Sequence, residues 1–131
     1  MAKAKAHPTC PCGPPASFER CCGRYLQGAE AAPGAETLMR SRYSAYALQH
    51  DRYLLDTWHR STRPEALDPN EHVGIKWIGL QVLRASEHGD EASVEFVARY
   101  KIGGRAGKLH ELSRFVREDG RWYYVDGQLH D

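Results

Sequence analysis

Four cysteines confined to thirteen residues constrain this chain more than any other feature of its sequence. They are Cys10, Cys12, Cys21 and Cys22, with the spacing C-x-C-x8-C-C, and the rest of the chain contains none. A disulfide framework would distribute its bridges over the whole fold, and neighbouring cysteines rarely reach the ~4.4–6.8 Å Cα separation that a bridge needs. In a reducing compartment, clustered thiols usually bind metal, so the spacing predicts a metal-binding cluster.

The residues around the cysteines fit a loop that folds around a metal ion. Gly13 and Gly23 each follow a cysteine pair, where the chain has to turn. The four prolines between positions 8 and 15 prevent this stretch from becoming a helix. Arg20 and Arg24 are placed to offset the net negative charge that four thiolates leave around a divalent ion.

The residue types indicate which metal the cluster would hold. Tetrahedral coordination by thiolates alone suits Zn²⁺ first and iron second. Two alternatives stay open, because His7 is close enough in sequence to replace one cysteine, and four free thiols are also compatible with the spacing. Four protein ligands would close the site, so we expect a structural or adhesive role and not a catalytic one.

Length and composition restrict the class of protein. The chain of 131 residues is the size of one domain, and its 41% hydrophobic and 27% charged residues are typical of a globular protein. Its apolar runs fall short of the ~20 residues of a membrane span, and its first residues lack the apolar region of a secretory signal. We therefore expect a cytoplasmic protein. Because the net charge is only +1, we do not expect nucleic-acid binding. The one argument for it is the segment at residues 99–121, which contains seven basic and three acidic residues.

The periodicity of apolar residues changes once along the chain. Residues 35–50 repeat at helical spacing, residues 51–58 form a second helix that Asp51 would cap, and residues 65–72 allow a further helical turn. From residue 75 the period becomes two, which predicts four strands. They cover residues 75–86, 91–102, 108–118 and 121–126. Helices followed by consecutive antiparallel strands predict an α+β fold.

Two segments of the sequence resemble known families. The CPCG at 10–13 and the CCG at 21–23 resemble the SEC-C motif, the metal-binding segment of the SecA translocation motor, which folds around zinc or iron and recruits protein partners such as the SecB chaperone. SEC-C segments commonly continue with a basic Gly-Ser-Gly-Lys-Lys turn, whereas residues 13–17 here read GPPAS.

The remainder of the chain resembles the YchJ-like family of bacterial proteins. The phrases that carry this resemblance are CCGRYL (21–26), ETLMRSRYSAY (36–46), TWHRSTRP (57–64) and ELSRFVREDGRWYYVDG (111–127). The family joins a SEC-C segment to a domain similar to nuclear transport factor 2, in which helices pack on a curved antiparallel sheet shaped like a cone. The resemblance implies a metal-binding segment at 1–26 and the α+β domain at 36–131. Between them, the small residues, the proline and the two glycines of residues 27–35 predict a linker.

The third predicted strand is the most polar. Lys108, His110 and Arg114 share one face, while Glu111, Ser113 and Arg117 share the other. Each polar group that such a strand buries needs a partner, because an unpaired one costs about 1–3 kcal/mol. We expect Glu111 to pair with an arginine of the first long helix, either Arg40 or Arg42.

Catalysis inside the cone would use residues that exchange protons. Enzymes of the related SnoaL-like and ketosteroid isomerase groups use Asp, His or Tyr in this position. The candidates in this sequence are His59, His110, Glu111 and Asp126. No spacing links the four, and each has a structural alternative at a helix end, a strand surface, an ion pair or a turn.

Two hypotheses about function follow from the sequence. In the first, the protein is a non-catalytic adaptor whose metal-binding segment recruits a protein partner. In the second, the cone binds a small molecule, with or without acting on it, and the metal stabilises the amino-terminal segment.

Overall fold

The computed structural model describes residues 9–13, 16–68 and 74–130. Short helices come first and four long strands follow, as the change of period predicts. After a 3₁₀ helix at Phe18–Arg20, the elements are α1 (Gly23–Leu26), α2 (Ala35–Leu48), α3 (Asp51–Asp56), β1 (Ile75–His88), β2 (Glu91–Ile102), β3 (Arg105–Glu118) and β4 (Arg121–His130). The predicted α+β class is confirmed.

The four strands form one antiparallel sheet in the order β1-β2-β3-β4. Irregularities in pairing lie between Trp77 and Gly79, between Val82 and Arg84, and after Arg114. Such bulges bend a strand and increase its twist, so the sheet curves around the helices that cover one of its faces. The cone expected from the family resemblance is therefore present.

β1 ends at His88, two residues beyond its predicted end, and two further strands are longer than the sequence pattern predicts. β4 continues beyond residue 126 to His130, and β3 begins at Arg105 instead of residue 108. Both extensions follow from the pairing: His110 is opposite His130, and the beginning of β3 continues the ladder with β2 as far as Ile102. Alternation of apolar residues is weak in these stretches, whereas their backbone hydrogen bonds do not depend on side chains.

The boundaries of the helices also differ from the predicted ones. α2 ends at Leu48 because Gln49 adopts a left-handed conformation (φ 59°), which closes the helix. His50, not Asp51, caps α3, and its Nδ1 accepts a hydrogen bond from the Tyr53 backbone N–H at 3.3 Å.

The helical turn predicted at 65–72 is not borne out in the described part of that segment. Residues 65 and 66 form a bend, residues 67 and 68 have no regular structure, and residues 69–72 lie outside the described residues. Among the helices that the structure describes, none has the length and apolarity needed to cross a membrane.

The chain that leaves α3 pairs with the outer edge of β4. The Tyr124 N–H donates to the Thr57 carbonyl oxygen at 2.8 Å, and the His59 N–H donates to the Tyr124 carbonyl oxygen at 2.7 Å. This short parallel bridge satisfies backbone groups at one edge of the sheet. It also places Trp58 against Tyr124, with their rings edge to face at 5.2 Å.

A hydrophobic core fills the space between α2 and one end of the concave sheet face. Phe115 is the largest fully buried side chain, with 1% of its surface exposed, and it packs with Leu38, Met39 and Val94. We expect Phe115→Ala to lower the free energy of unfolding by about 3–5 kcal/mol, because it leaves a cavity that cannot collapse. Chemical denaturation measures this loss.

Leu83 provides the matched control, because it lies on a strand but is 45% exposed. Leu83→Ala should change the free energy of unfolding by no more than about 0.5 kcal/mol. Equal effects of the two substitutions would contradict the assigned core.

Candidate metal centre and cone cavity

The four cysteine sulfur atoms converge on one point. All four Sγ atoms lie within 4.8 Å of one another. Cys12 Sγ and Cys21 Sγ are 3.5 Å apart, and Cys21 Sγ and Cys22 Sγ are 4.0 Å apart. A tetrahedral ion with Zn–S bonds of about 2.3 Å would hold its sulfur ligands roughly 3.8 Å apart. The cluster therefore has the dimensions of a four-thiolate metal site.

A tight backbone loop presents the first two cysteines. The Cys10 N–H donates to the Ala16 carbonyl oxygen at 3.1 Å, and Thr9 bridges to Ser17, so the two ends of the loop meet. Inside it, the Gly13 N–H donates to the Cys10 carbonyl oxygen at 2.9 Å. Gly13 has a φ of 128°, which residues with a side chain rarely adopt. Glycine at this position is what lets the chain turn back after Cys12.

The second pair lies at the junction of the 3₁₀ helix and α1. The Cys21 N–H donates to the Phe18 carbonyl oxygen at 3.0 Å. A Cβ atom on Gly23 would approach that same oxygen to 2.7 Å, so any larger residue would force the junction apart. The Arg24 Nε donates to the Cys21 carbonyl oxygen at 3.1 Å, which holds one of the two predicted basic residues beside the cluster.

The cysteine cluster is anchored in the domain that follows. Ser44 of α2 is fully buried, and its Oγ lies 3.5 Å from Cys10 Sγ. Cys10, Cys12 and Cys22 are buried and share one hydrophobic cluster with Tyr43 of α2 and with side chains from α3 and β2. The amino-terminal segment is thus packed into the core, and its metal would hold the segment against α2.

The thiols share their protons unequally. Hydrogen bonds with Cys12 and Cys22 lower the pKa of Cys10, with smaller contributions from the Ser44 hydroxyl and the Cys12 N–H. The hydrogen bond to Cys10 raises the pKa of Cys12 to about 12, and the corresponding bond raises the pKa of Cys22. A bound cation would stabilise several thiolates together, so the sulfur atoms would no longer compete for the same protons. The donor set and its spacing fit a soft divalent ion, and His7 lies outside the described residues.

A cavity of about 370 Å³ occupies the rest of the cone. This volume has room for about a dozen water molecules. Its walls are largely aromatic, and its polar side chains include Arg42, Glu111 and Ser113. Gly127 and Leu129, both exposed, also line it, so it opens at the end of β4. Of the four predicted acid–base candidates, Glu111 lines this cavity.

Glu111 has a neighbour other than the expected arginines. Its Oε2 accepts a hydrogen bond from the Ser113 hydroxyl. Arg40 pairs with Glu36 on the exposed side of α2 at 3.0 Å. Arg42 lines the same cavity as Glu111, but its Nη1 donates to the Leu54 carbonyl oxygen and to Thr57.

His59 joins the segment that follows α3 to the end of β3. Its Nε2 lies 3.0 Å from Glu118 Oε2. Because the Ser61 N–H donates to Nδ1 at 3.2 Å, Nε2 is the nitrogen that donates to the carboxylate. His59 thus makes hydrogen bonds through both ring nitrogens. It does not close the short helix, which was its structural alternative, because α3 ends at Asp56 and Thr57 is its C-cap.

His110 and Asp126 lie on the outer face of the sheet, away from the cavity. His110 Nε2 is 2.7 Å from Glu95 Oε2, and its ring lies against that of His130 at 5.0 Å. Asp126 forms two parallel hydrogen bonds of 2.7 Å with Arg114, which lower its pKa. The structure therefore does not bring these two residues together with Glu111.

Two residues of these sites were not predicted as functional from the sequence, namely Ser44 beside the cysteine cluster and Arg42 in the cavity wall. Ser44 has no motif that would distinguish it from other small residues of a buried helix face. Arg42 does carry a signal, because it is a cation within the apolar stripe of α2, between Met39 and Tyr43. A charged residue in such a stripe indicates either a buried ion pair or a binding site.

Comparisons with known proteins agree with this architecture. The family model described as "YchJ, middle NTF2-like domain" matches residues 34–127. A UPF0225 protein of Chromobacterium violaceum is 59% identical over 130 residues, covering 95% of this chain and 96% of its own length. A UPF0225 protein of Bordetella bronchiseptica is 55% identical over 132 residues, with coverages of 95% and 98%.

Two solved structures are similar over nearly the whole chain. The solution structure of a SEC-C motif containing protein from Rhodopseudomonas palustris has a TM-score of 0.84 and 36% identity, covering 93% of this chain and 98% of that one. The crystal structure of a SEC-C motif containing protein from Psychrobacter arcticus has a TM-score of 0.78 and 29% identity, with coverages of 93% and 82%. This chain therefore belongs to the YchJ-like family of UPF0225 proteins, with a SEC-C cysteine segment followed by an NTF2-like domain.

Proposed function

We propose that this protein is a zinc-binding adaptor, in which Cys10, Cys12, Cys21 and Cys22 hold one Zn²⁺ and the metal-bound segment recruits a protein partner. The observation that carries the proposal is the convergence of four sulfur atoms within 4.8 Å. Iron is the alternative metal, since it also accepts four thiolates. The proposed segment spans residues 1–26, with a linker at 27–35 and the NTF2-like domain at 36–131.

A closed coordination sphere supports a role other than catalysis. Four thiolates complete a tetrahedral site and leave no position for a substrate or an activated water. Three of the four cysteines are buried, which also restricts access to the ion. The metal then acts on structure, and any activity of this segment comes from the surface that it holds in place.

That surface is the part of the segment that faces away from α2. Glu19 and Arg20 are exposed on the 3₁₀ helix directly before Cys21, the least buried of the four cysteines. Both residues owe their position to the turn that the metal would close. A partner that docks here would contact backbone and side chains whose arrangement depends on the bound ion, as in the SEC-C segment of SecA.

The first prediction of the adaptor proposal concerns the metal itself. Protein purified without a tag or a chelator should contain about one zinc per chain by mass spectrometry, with four thiols protected from alkylation. Cys22→Ser should weaken zinc binding by more than about 100-fold, since the loss of even an outer-shell partner costs 10–100-fold. Competition with a chromogenic chelator measures the affinity.

The matched control is Ala106→Ser, which introduces a hydroxyl at an exposed position near the β2–β3 turn. It should retain the metal with unchanged affinity. Gly23→Ala keeps all four ligands but crowds the Phe18 carbonyl oxygen, so it should lower metal retention on heating. Four reactive thiols and no metal in the unmodified protein would contradict the proposal.

The second prediction concerns the partner. Proteins that co-purify with the unmodified chain should be lost with Cys21→Ser, which removes a ligand. They should also be lost with Arg20→Glu, which reverses a charge on the proposed surface without removing a ligand. Quantitative mass spectrometry of cross-linked complexes provides the comparison.

Arg99→Glu is the matched control, because Arg99 is an exposed arginine on the outer face of the sheet. It should retain the same partners as the unmodified protein. Identical partner lists for all four proteins would exclude recruitment through the metal-binding segment.

A second function is favoured by the cavity. A cone filled by its own side chains would have excluded a ligand, whereas about 370 Å³ lies within the usual range of small-molecule sites, ~300–1,000 Å³. We therefore propose as the second candidate that the NTF2-like domain binds a small molecule. This function and the adaptor function use different surfaces and are compatible with one another.

A further inference from the structure

The wall of the cone cavity contains a buried cation. Arg42 of α2 is only 5% exposed. Its Nη1 donates to the Leu54 carbonyl oxygen at 2.7 Å and to Thr57 Oγ1 at 2.8 Å. Both acceptors are neutral, so these hydrogen bonds fix the position of the guanidinium but do not neutralise its charge. Arginine is rarely buried to this extent without an anionic partner.

Aromatic rings hold the guanidinium on its other sides. The Arg42 Cζ lies 4.5 Å from the centre of the Tyr124 ring and 5.3 Å from that of Trp58. Cation–π contacts of this kind stabilise the buried charge in part. The two rings also line the cavity, so they orient the guanidinium at its wall.

The carboxylate of the cavity lies on a different element. Glu111 extends from β3, where its Oε2 accepts the Ser113 hydroxyl and lies close against the backbone of β4. A Cβ atom placed on Gly127 would approach Oε2 to 2.2 Å, so a larger residue there would displace this carboxylate from its present position. Arg42 and Glu111 thus give the cavity a positive and a negative pole, on α2 and on β3.

Between these poles the lining is apolar. Aromatic and aliphatic side chains from α2 and from all four strands form it, and they include Tyr43, Tyr46, Trp77, Phe96 and Leu109. A ligand that used both poles would need an apolar body to contact these walls. An arginine recognises carboxylate oxygens with paired N–H donors.

We propose that the cone cavity binds a small aromatic or aliphatic carboxylate, with its carboxylate at Arg42 and a hydroxyl or amine donor at Glu111. The proposal rests on the second function above, binding of a small molecule by this domain. It adds the chemical class of the ligand and its orientation.

A single negative charge suits this cavity better than a phosphate. A phosphate carries close to two charges and three acceptor oxygens at neutral pH. Arg42 is the one cation of the described cavity lining, and Glu111 would repel a second charge. With a monoanion bound, Arg42, Glu111 and the ligand sum to a net charge of −1, whereas a phosphate with two charges would bring the sum to about −2. The hydroxyl or amine that the ligand donates to Glu111 offsets part of the repulsion from that carboxylate.

Two probes differ in charge and share their size. We would titrate 4-hydroxybenzoate and its neutral amide, 4-hydroxybenzamide, into the metal-loaded, ¹⁵N-labelled full chain and follow the indole N–H signals. Trp58 and Trp77 line the cavity, whereas Trp122 is buried elsewhere in the core and serves as the internal control. The acid should shift the first two signals, and the amide should bind roughly 10-fold or more weakly.

The titration can overturn the carboxylate proposal alone, or together with small-molecule binding by this domain. Equal affinity of acid and amide, with shifts of Trp58 and Trp77, would overturn the carboxylate proposal and leave small-molecule binding intact. No shift of either signal at millimolar concentrations of both probes would overturn both. A shift confined to Trp122 would place the binding outside the cavity and would also overturn both.

Substitution of the cation tests the orientation. Arg42→Lys keeps the charge but removes the planar pair of donors, so it should weaken the acid roughly 10-fold and leave the amide unchanged. If this variant does not fold, Leu129→Phe narrows the mouth and should weaken the acid, while Leu83→Phe on the outer face should not. Unchanged affinity for the acid in Leu129→Phe would count against the cavity as the site.

Discussion

The packing of α2 against two different partners is the constraint on which the rest of the structure depends. Ser44 on this helix contacts the Cys10 sulfur, while Leu38 and Met39 pack into the core beneath the sheet. Arg42 lies on the same helix at the wall of the cavity. One helix of fourteen residues therefore positions the cysteine cluster, the core and the cavity, because its turns direct side chains to all three.

The two candidate sites share a side chain of α2. Tyr43 belongs to the hydrophobic cluster that contains three of the cysteines, and it also lines the cavity. Its ring meets that of Trp77 edge to face at 5.8 Å, and Trp77 meets Tyr100 in the same way at 5.6 Å. Tyr43 and the rings next to it therefore lie between the cysteine cluster and the cavity, as part of the wall that separates them.

Polar residues of the sheet separate by face. On the outer face, Glu95 pairs with His110 and with Arg84, which lowers the pKa of Glu95. Glu95 and His110 are partly buried and Arg84 is exposed, so these pairs satisfy the charged groups of a face that borders solvent. On the inner face, Glu111 and Ser113 are hydrogen-bonded to each other beside the cavity. Successive side chains of β3 point to opposite faces of the sheet, so this one strand supplies both the outer His110 and the inner Glu111 and Ser113.

Local patterns in the sequence determined the cysteine cluster, the order of helices and strands, and the two faces of β3, because spacing and period depend on neighbouring residues alone. The ends of β3 and β4 were decided by pairing between strands, and the cap of α3 by the His50 ring, which accepts a hydrogen bond from the Tyr53 N–H. Only the tertiary structure decided which acid–base residue reaches the cavity. His59, His110 and Asp126 are also residues that exchange protons. Alternation places Glu111 on the face of β3 opposite to His110, and the packing of α2 on that face makes it the one that lines the cavity.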